Sequence, residues 1–195
     1  MTLPRRAATL SGVVSTFDAA AYLKVRAVWR ELHDRFGLAI LQEGLVPHFS
    51  WHIAEEYDLD GLDQKLAELS AQIAPFDIHT NGLGVFTGEN PVLYLTIVKD
   101  AALMALHRTI WQACEAFAQG SSPFYAEQSW IPHVTLASAD LQQENLPEIL
   151  RSLVERDFSW TMHVETICVG KHTLGQVGEL DCKFDLEGEL DENLS

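Results

Sequence analysis

The chain is poor in cysteine and has no long hydrophobic run. No two of its three cysteines form a C-x-x-C pair, which excludes zinc-knuckle and redox motifs of that type. No stretch reaches the roughly 18–20 consecutive apolar residues of a membrane span. The basic first residues are not followed by the long apolar segment of a signal peptide. We therefore expect a cytoplasmic protein with free, buried thiols and no membrane partner.

Positive charge is also scarce. Thirteen lysines and arginines stand against 28 aspartates and glutamates, a formal net charge of −15. Such a surface repels the phosphate backbone of long RNA or DNA, so we expect no long nucleic-acid partner. The net charge is still compatible with a partner that is a small phosphorylated nucleotide, or an RNA end held in a locally basic cleft. We expect a monomer with a single bilobal domain over residues 1–188 and an acidic tail over residues 189–195.

What the chain does have is regular hydrophobic periodicity. Hydrophobic residues make up 47% of the 195 residues, ample for a core. The spacing predicts strands at 10–17, 46–54, 76–86, 92–98, 131–138, 158–169 and 177–186, and helices at 18–36, 59–73, 100–118 and 146–154. Residues 120–123 are predicted to be a loop. The mixed order favours an α+β fold with strands in the middle and helices outside.

A short phrase occurs twice in the sequence. Residues 46–51 read Val-Pro-His-Phe-Ser-Trp, and residues 131–136 read Ile-Pro-His-Val-Thr-Leu. In a strand, residues i and i+2 share one face, so each histidine has a hydroxyl side chain beside it. Each phrase opens a predicted strand, helix and strand pair. We interpret this as an internal β-α-β-β duplication that brings the two pairs to one cleft.

The doubled pair suits acid–base chemistry on a phosphate ester. His48 and His133 could act as general base and general acid, because imidazole exchanges protons near neutral pH. Ser50 and Thr135 could donate hydrogen bonds to the non-bridging phosphoryl oxygens. This scheme requires no metal and no other cofactor. The residues alone leave open which histidine is the base.

Other residues near the two phrases have open roles. His52 follows His48 by four positions, so a regular strand would turn it to the same face, as a third cleft residue or as the true first histidine. We prefer His48, because its proline and hydroxyl neighbours match the second copy. Tyr125 and Trp130 precede the second phrase and could stack on a base or ribose, or equally pack on the sheet.

The remaining histidines receive no role. His33 and His107 lie in predicted helices and are expected at the surface or at an edge. His172 lies in a predicted loop, where a turn residue is the favoured interpretation.

At the doubled phrase the chain resembles the two-histidine (2H) phosphoesterase superfamily, which includes the 2′-5′ RNA ligase-like proteins and cyclic nucleotide phosphodiesterases. The resemblance rests on residues 47–51 and 132–136, the two His-x-(Thr/Ser)-x motifs, and on the hairpin of residues 81–86 and 92–95. It covers about residues 8–187. It implies two pseudo-twofold-related β-α-β-β lobes with central antiparallel sheets and outer helices around a cleft.

The resemblance also implies a function. It assigns catalysis to His48 and His133 and phosphate binding to Ser50 and Thr135, with 2′,3′-cyclic phosphates, 2′-5′ linkages or related cyclic phosphodiesters as substrates. One departure is that many relatives have an arginine just after the second motif, where this chain has Ala137 and Ser138. The predicted function is therefore a metal-independent hydrolase of RNA processing, either a 2′,3′-cyclic phosphodiesterase or 2′-5′ RNA ligase-like.

Two alternatives stay open. A domain of the same fold could bind a nucleotide or RNA end without turning it over. A structural protein with a decayed site would instead have its two histidines far apart or buried.

Overall fold

The structure, a computed structural model, describes residues 9–39, 45–173 and 176–189. Most of the predicted acidic tail, residues 190–195, lies outside the described residues. The helices are α1 (Ala19–Phe36), α2 (Leu59–Ser70), α3 (Ala101–Glu115) and α4 (Leu146–Leu153), and Pro123–Tyr125 forms a 3₁₀ turn. The strands are β1 (Thr9–Thr16), β2 (His48–Tyr57), β3 (Phe76–Phe86), β4 (Val92–Ile97), β5 (Ala118–Ser121), β6 (His133–Ala137), β7 (Thr161–Val164), β8 (Thr166–Thr173) and β9 (Gln176–Asp185).

The strands form two antiparallel sheets, which confirms the α+β prediction. The first sheet has the order β5-β2-β1-β8-β9 and the second the order β6-β4-β3-β7. Each predicted β-α-β-β repeat contributes to both sheets. The first repeat puts β2 in one sheet and the β3–β4 hairpin in the other, whereas the second puts β6 with that hairpin and returns β8 and β9 to the sheet of β2.

Helix α1 shows how local sequence determines where a helix begins and ends. Asp18 caps its N-terminus by accepting a hydrogen bond from the Ala21 amide at 3.0 Å. Gly37 ends it in the left-handed region, with φ of 74°, and donates its amide hydrogen to the His33 carbonyl. The buried stripe of α1, which includes Trp29 and Leu32, packs on β6 and β7 of the second sheet. Correspondingly, α3 packs on β2 and β5 of the first sheet.

Two predicted segments differ from the structure. The segment 158–169, predicted as one strand, is two strands in different sheets, because the chain crosses from one sheet to the other at Glu165. Residues 118–121, predicted as the end of a helix and the start of the loop at 120–123, form the edge strand β5, which pairs with β2 at Ala54 and Glu56. No helix of the described residues is long and apolar enough to cross a bilayer.

Candidate active site

His48 and His133 occupy equivalent positions, each at the first residue of its strand. The Nδ1 atom of His48 lies 2.8 Å from the Val46 carbonyl oxygen, and that of His133 lies 2.7 Å from the Ile131 carbonyl oxygen. Because a carbonyl oxygen can only accept, Nδ1 carries the hydrogen in both rings. The neutral form of each ring therefore has its lone pair on Nε2, which makes Nε2 the proton-exchanging atom.

The two histidines lie close enough for their charges to interact. Both rings are half-buried, and strand β2 contacts strand β6. Burial lowers the pKa of His48, opposed by the hydrogen bond to the Val46 carbonyl. Burial also lowers the pKa of His133, and the charge on His48 lowers it further. The two rings therefore titrate as a coupled pair, in which the doubly protonated state is disfavoured.

His133 is supported by two aromatic rings from the β3–β4 hairpin. The ring of Phe86 meets it edge-on at 4.9 Å between centroids, and the ring of Tyr94 lies at 5.1 Å. Phe86 and Tyr94 stack on each other at 4.3 Å. Room for this arrangement depends on Gly84, since a Cβ atom there would overlap the Tyr94 ring.

Replacing Gly84 with alanine should therefore displace the Tyr94 ring from beneath His133. We expect a loss of about 1–3 kcal/mol in the free energy of unfolding, the usual cost of overpacking. Urea denaturation measures it. The same substitution in a Tyr94→Leu background should cost clearly less, and an equal cost in both backgrounds would contradict the account.

The hydroxyl residues of the two motifs are held by two indoles. The Trp130 Nε1–H donates to the Ser50 carbonyl oxygen at 2.9 Å, and the Trp29 Nε1–H donates to the Thr135 carbonyl oxygen at 3.0 Å. Each indole comes from outside the strand that it holds, Trp29 from α1 and Trp130 from the segment between α3 and β6. Both motif strands are thus fixed at equivalent points, with the side chains of Ser50 and Thr135 half-buried.

Tyr125 and Trp130 lie behind and beside Ser50. Trp130 is only 1% exposed and stacks on Trp51 at 5.6 Å and on His107 at 3.9 Å. Its ring is therefore part of the core. Tyr125 is half-buried, and burial raises the pKa of its hydroxyl.

His107 is fully buried, so its predicted surface position is wrong. It lies four residues after Leu103 and three before Ile110, on the stripe that α3 turns to β2. Its Nε2–H donates to the Tyr125 carbonyl oxygen at 3.1 Å. Burial lowers the pKa of His107 to about 4, so the ring is neutral at physiological pH.

His52 lies apart from the motif pair, against α3. It is fully buried, with Nδ1 2.5 Å from the Tyr57 hydroxyl and Nε2 3.1 Å from a Glu115 carboxylate oxygen. Its ring also packs on Trp111 at 4.4 Å. The expected shared face with His48 required a regular strand. Instead Val13 pairs with His52 and Val14 with Ser50, so Trp51 is an extra, bulged residue that reverses the alternation.

Two cations lie next to the indoles that hold the motifs. The Arg26 guanidinium lies over the Trp29 ring, 5.6 Å from its centroid, and the Lys99 ammonium donates to the Trp130 carbonyl oxygen at 2.8 Å. Neither was singled out from the sequence, since both are remote from the motifs along the chain. Among the described residues, no group of three or more His, Cys, Asp or Glu side chains could hold a metal ion.

The chain belongs to the 2′-5′ RNA ligase superfamily, whose family model matches residues 17–176. No curated protein matches the sequence.

Solved structures share the fold. TT0787 of Thermus thermophilus is 16% identical with a TM-score of 0.65, over 93% of this chain and all of that one. LigT of E. coli, in a structure complexed with NADP+, is 12% identical with a TM-score of 0.57, over 93% of this chain and 99% of that one. LigT has also been solved with 3′-AMP and with phosphate.

Proposed function

We propose that the protein is a phosphoesterase that opens a cyclic phosphate, or cleaves a 2′-5′ phosphodiester, of a nucleotide or RNA end by paired-histidine acid–base catalysis. The observation that carries the proposal is the matching pair of hydrogen bonds that fix the rings of His48 and His133. In each ring a carbonyl two residues upstream fixes Nδ1 as the donor and makes Nε2 the reactive nitrogen. Two such rings with interacting charges can act as general acid and general base on one phosphate.

The two histidines would divide the proton transfers between them. The charge on His48 lowers the pKa of His133, so a state with one neutral and one protonated ring is favoured over a doubly protonated state. The neutral ring would remove a proton from the attacking water. The protonated ring would donate its Nε2 proton to the leaving oxygen as the ester bond breaks. The hydroxyls of Ser50 and Thr135 would donate to the non-bridging oxygens, where charge is held.

The substrate class is supported by the superfamily and by the charge of the chain. The solved LigT structures contain a nucleotide monophosphate, a dinucleotide and free phosphate. A small phosphorylated ligand also suits a chain with a net charge of −15 better than a long polyanion does. We include Tyr125 in the proposed site as a partly exposed aromatic residue, whereas the burial of Trp130 and His52 leaves them structural roles.

The proposal is tested by a substrate panel. It should include 2′,3′-cyclic nucleotides, 2′-5′-linked dinucleotides and ADP-ribose 1″,2″-cyclic phosphate, with products separated by chromatography. Turnover of at least one member, lost in the His48→Ala and His133→Ala variants, is the expected result. No turnover of any member, or equal turnover by the variants, would contradict it.

The activity should have an acidic pH optimum. The base must be neutral and the acid charged, and burial lowers the pKa of both rings below the ordinary 6.5. Catalysis by the free enzyme therefore rises with pH through the lower pKa of the pair and falls through the higher one. We expect kcat/KM for a 2′,3′-cyclic nucleotide to peak below pH 6.5. A peak above pH 7.5 would contradict the burial of the pair.

A second candidate function is nucleotide binding without turnover. It is favoured by Ala137 and Ser138, which follow the second motif where many relatives have an arginine. Tight binding of 3′-AMP by calorimetry, with no product from the panel after long incubation, would support this function.

A further inference from the structure

Trp130 is connected to both motifs, through two different parts of the residue. Its indole Nε1–H donates to the Ser50 carbonyl oxygen of the first motif at 2.9 Å. Its backbone continues directly into Ile131, whose carbonyl oxygen lies 2.7 Å from Nδ1 of His133 in the second motif. Since β2 and β6 belong to different sheets, this one residue links the strands that begin with the two histidines.

Packing in the core fixes the Trp130 indole. The ring stacks on Trp51 with an interplanar angle of 22° and on His107 of α3 with an angle of 15°. Trp51 directly follows Ser50 and is the bulged residue of β2, so the bulge brings the first motif into a second contact with Trp130. Because a close-packed interior leaves little room for movement, the indole N–H has a defined position relative to Ser50.

The backbone between Trp130 and His133 is fixed at three consecutive carbonyl groups. The Lys99 ammonium donates to the Trp130 carbonyl oxygen at 2.8 Å, and the Ile97 amide donates to the Pro132 carbonyl oxygen at 3.1 Å. The carbonyl between them accepts from Nδ1–H of His133. The orientation of the His133 ring therefore depends on a segment that Lys99 holds at one end and β4 holds at the other.

On this basis, and resting on the proposed function, we propose that Trp130 is a positioning residue that, together with Lys99, sets the distance and relative orientation of His48 and His133. Strand β2 pairs with β1 and β5, whereas β6 pairs with β4, so the spacing of the two histidines depends on contacts between the sheets. General acid and base must both reach one phosphate. A displacement of about 1 Å can lower such a rate about a hundredfold.

The two contacts of the proposal act on different variables. The indole bond fixes where β2, and with it His48, lies relative to the segment that leads into β6. The Lys99 bond fixes the carbonyl next to the one that orients the His133 ring. Trp130 therefore acts from the core on the geometry of the pair, without touching the ligand, and Lys99 acts from the surface, where its side chain is exposed.

The first test measures the electrostatic coupling of the two histidines without substrate. Because the charge on His48 lowers the pKa of His133, His48→Gln should raise the pKa of His133 in an NMR titration. Coulomb energy falls with distance, so in Trp130→Phe the same substitution should raise that pKa less than about half as much. The matched control is Trp160→Phe, which should keep the full coupling. Its Nε1–H also donates to a backbone carbonyl, that of Asp157 at 3.2 Å, beside the opposite edge of the second sheet from β6.

Kinetics with 2′,3′-cyclic AMP give the second readout. Trp130→Phe should lower kcat about ten- to a hundredfold with KM within about threefold, because the acid–base geometry is lost while the phosphate-binding hydroxyls remain. Lys99→Met should lower kcat about three- to tenfold, the effect of one hydrogen bond. Lys99→Arg keeps a donor and should stay within about twofold of wild type. Lys65→Met, a change at an exposed lysine of α2, is the control and should equal wild type.

The outcomes separate this inference from the proposed function. If wild type is active and Trp130→Phe keeps the full coupling, or if Trp160→Phe loses as much, the role of Trp130 is refuted while the proposed function stands. Lys99 is exposed, so its variants are informative even where Trp130→Phe does not fold, and unchanged kcat and coupling in Lys99→Met would likewise refute the role. If wild type turns over no member of the panel while the coupling still depends on Trp130, the proposed function is refuted and the positioning role stands.

Discussion

Replacing His48 or His133 with alanine is expected to lower kcat about a hundred- to ten-thousandfold, the usual contribution of a general acid or base. Each ring is fixed by a carbonyl at its Nδ1 atom, and no other histidine of the described residues has this arrangement at the start of a motif strand. Steady-state kinetics on the best substrate of the panel measures the effect. Removing both histidines should cost much less than the product of the single losses, because they act on one step.

The control for these variants is His79→Ala. His79 lies on β3, where its Nδ1 atom is 3.1 Å from the Thr161 hydroxyl oxygen, and it should be dispensable. A substrate with a good leaving group distinguishes the acid from the base. A p-nitrophenyl phosphodiester needs no acid, so the alanine variant that has lost the acid should be only mildly impaired with it, while the variant that has lost the base stays inactive. Equal impairment of both variants with this substrate would contradict separate acid and base roles.

The second large effect is expected at Thr135. Replacement with valine keeps the shape of the side chain and removes only the hydroxyl that we propose binds the reacting phosphate. Removing one such donor typically costs about a hundred- to thousandfold in kcat. The backbone of Thr135 stays held by Trp29, whose indole binds the carbonyl and not the side chain. The loss should therefore appear in kcat without a loss of stability.

Thr135→Ser is the matched variant, since it keeps the hydroxyl and loses a methyl group. It should retain activity within about fivefold of wild type. Thermal melts of all three proteins exclude unfolding as the cause. Equal activity of the valine variant and wild type would show that this hydroxyl does not stabilise the transition state.

The sequence predicted most of the elements of the fold because their periodicity is strong. Helix α1 lies within its predicted limits of 18–36, with Asp18 and Gly37 as its capping residues. The β3–β4 hairpin begins and ends within a residue or so of its predicted limits. Strand β5 was missed because nothing in its four residues marks it as β-structure. Its pairing with Ala54 and Glu56 of β2 is a long-range contact that local sequence does not encode.

The candidate site was predictable only where the motif repeats. The doubled phrase predicted four site residues, His48, His133, Ser50 and Thr135. The position of His52 depended on the bulge at Trp51, which single-strand alternation cannot reveal. Burial of His107 was readable in principle from its place between Leu103 and Ile110 on the α3 stripe. Its bond to the Tyr125 carbonyl joins two separate segments and required the folded chain.

The most direct test of the central claim is a crystal structure with 3′-AMP bound. The account predicts that Nε2 of His48 and Nε2 of His133 both lie within about 3.2 Å of oxygen atoms of one phosphate, since acid and base must both reach it. The hydroxyls of Ser50 and Thr135 should contact its remaining oxygens. A phosphate bound elsewhere, or one contacted by a single histidine, would contradict paired-histidine catalysis.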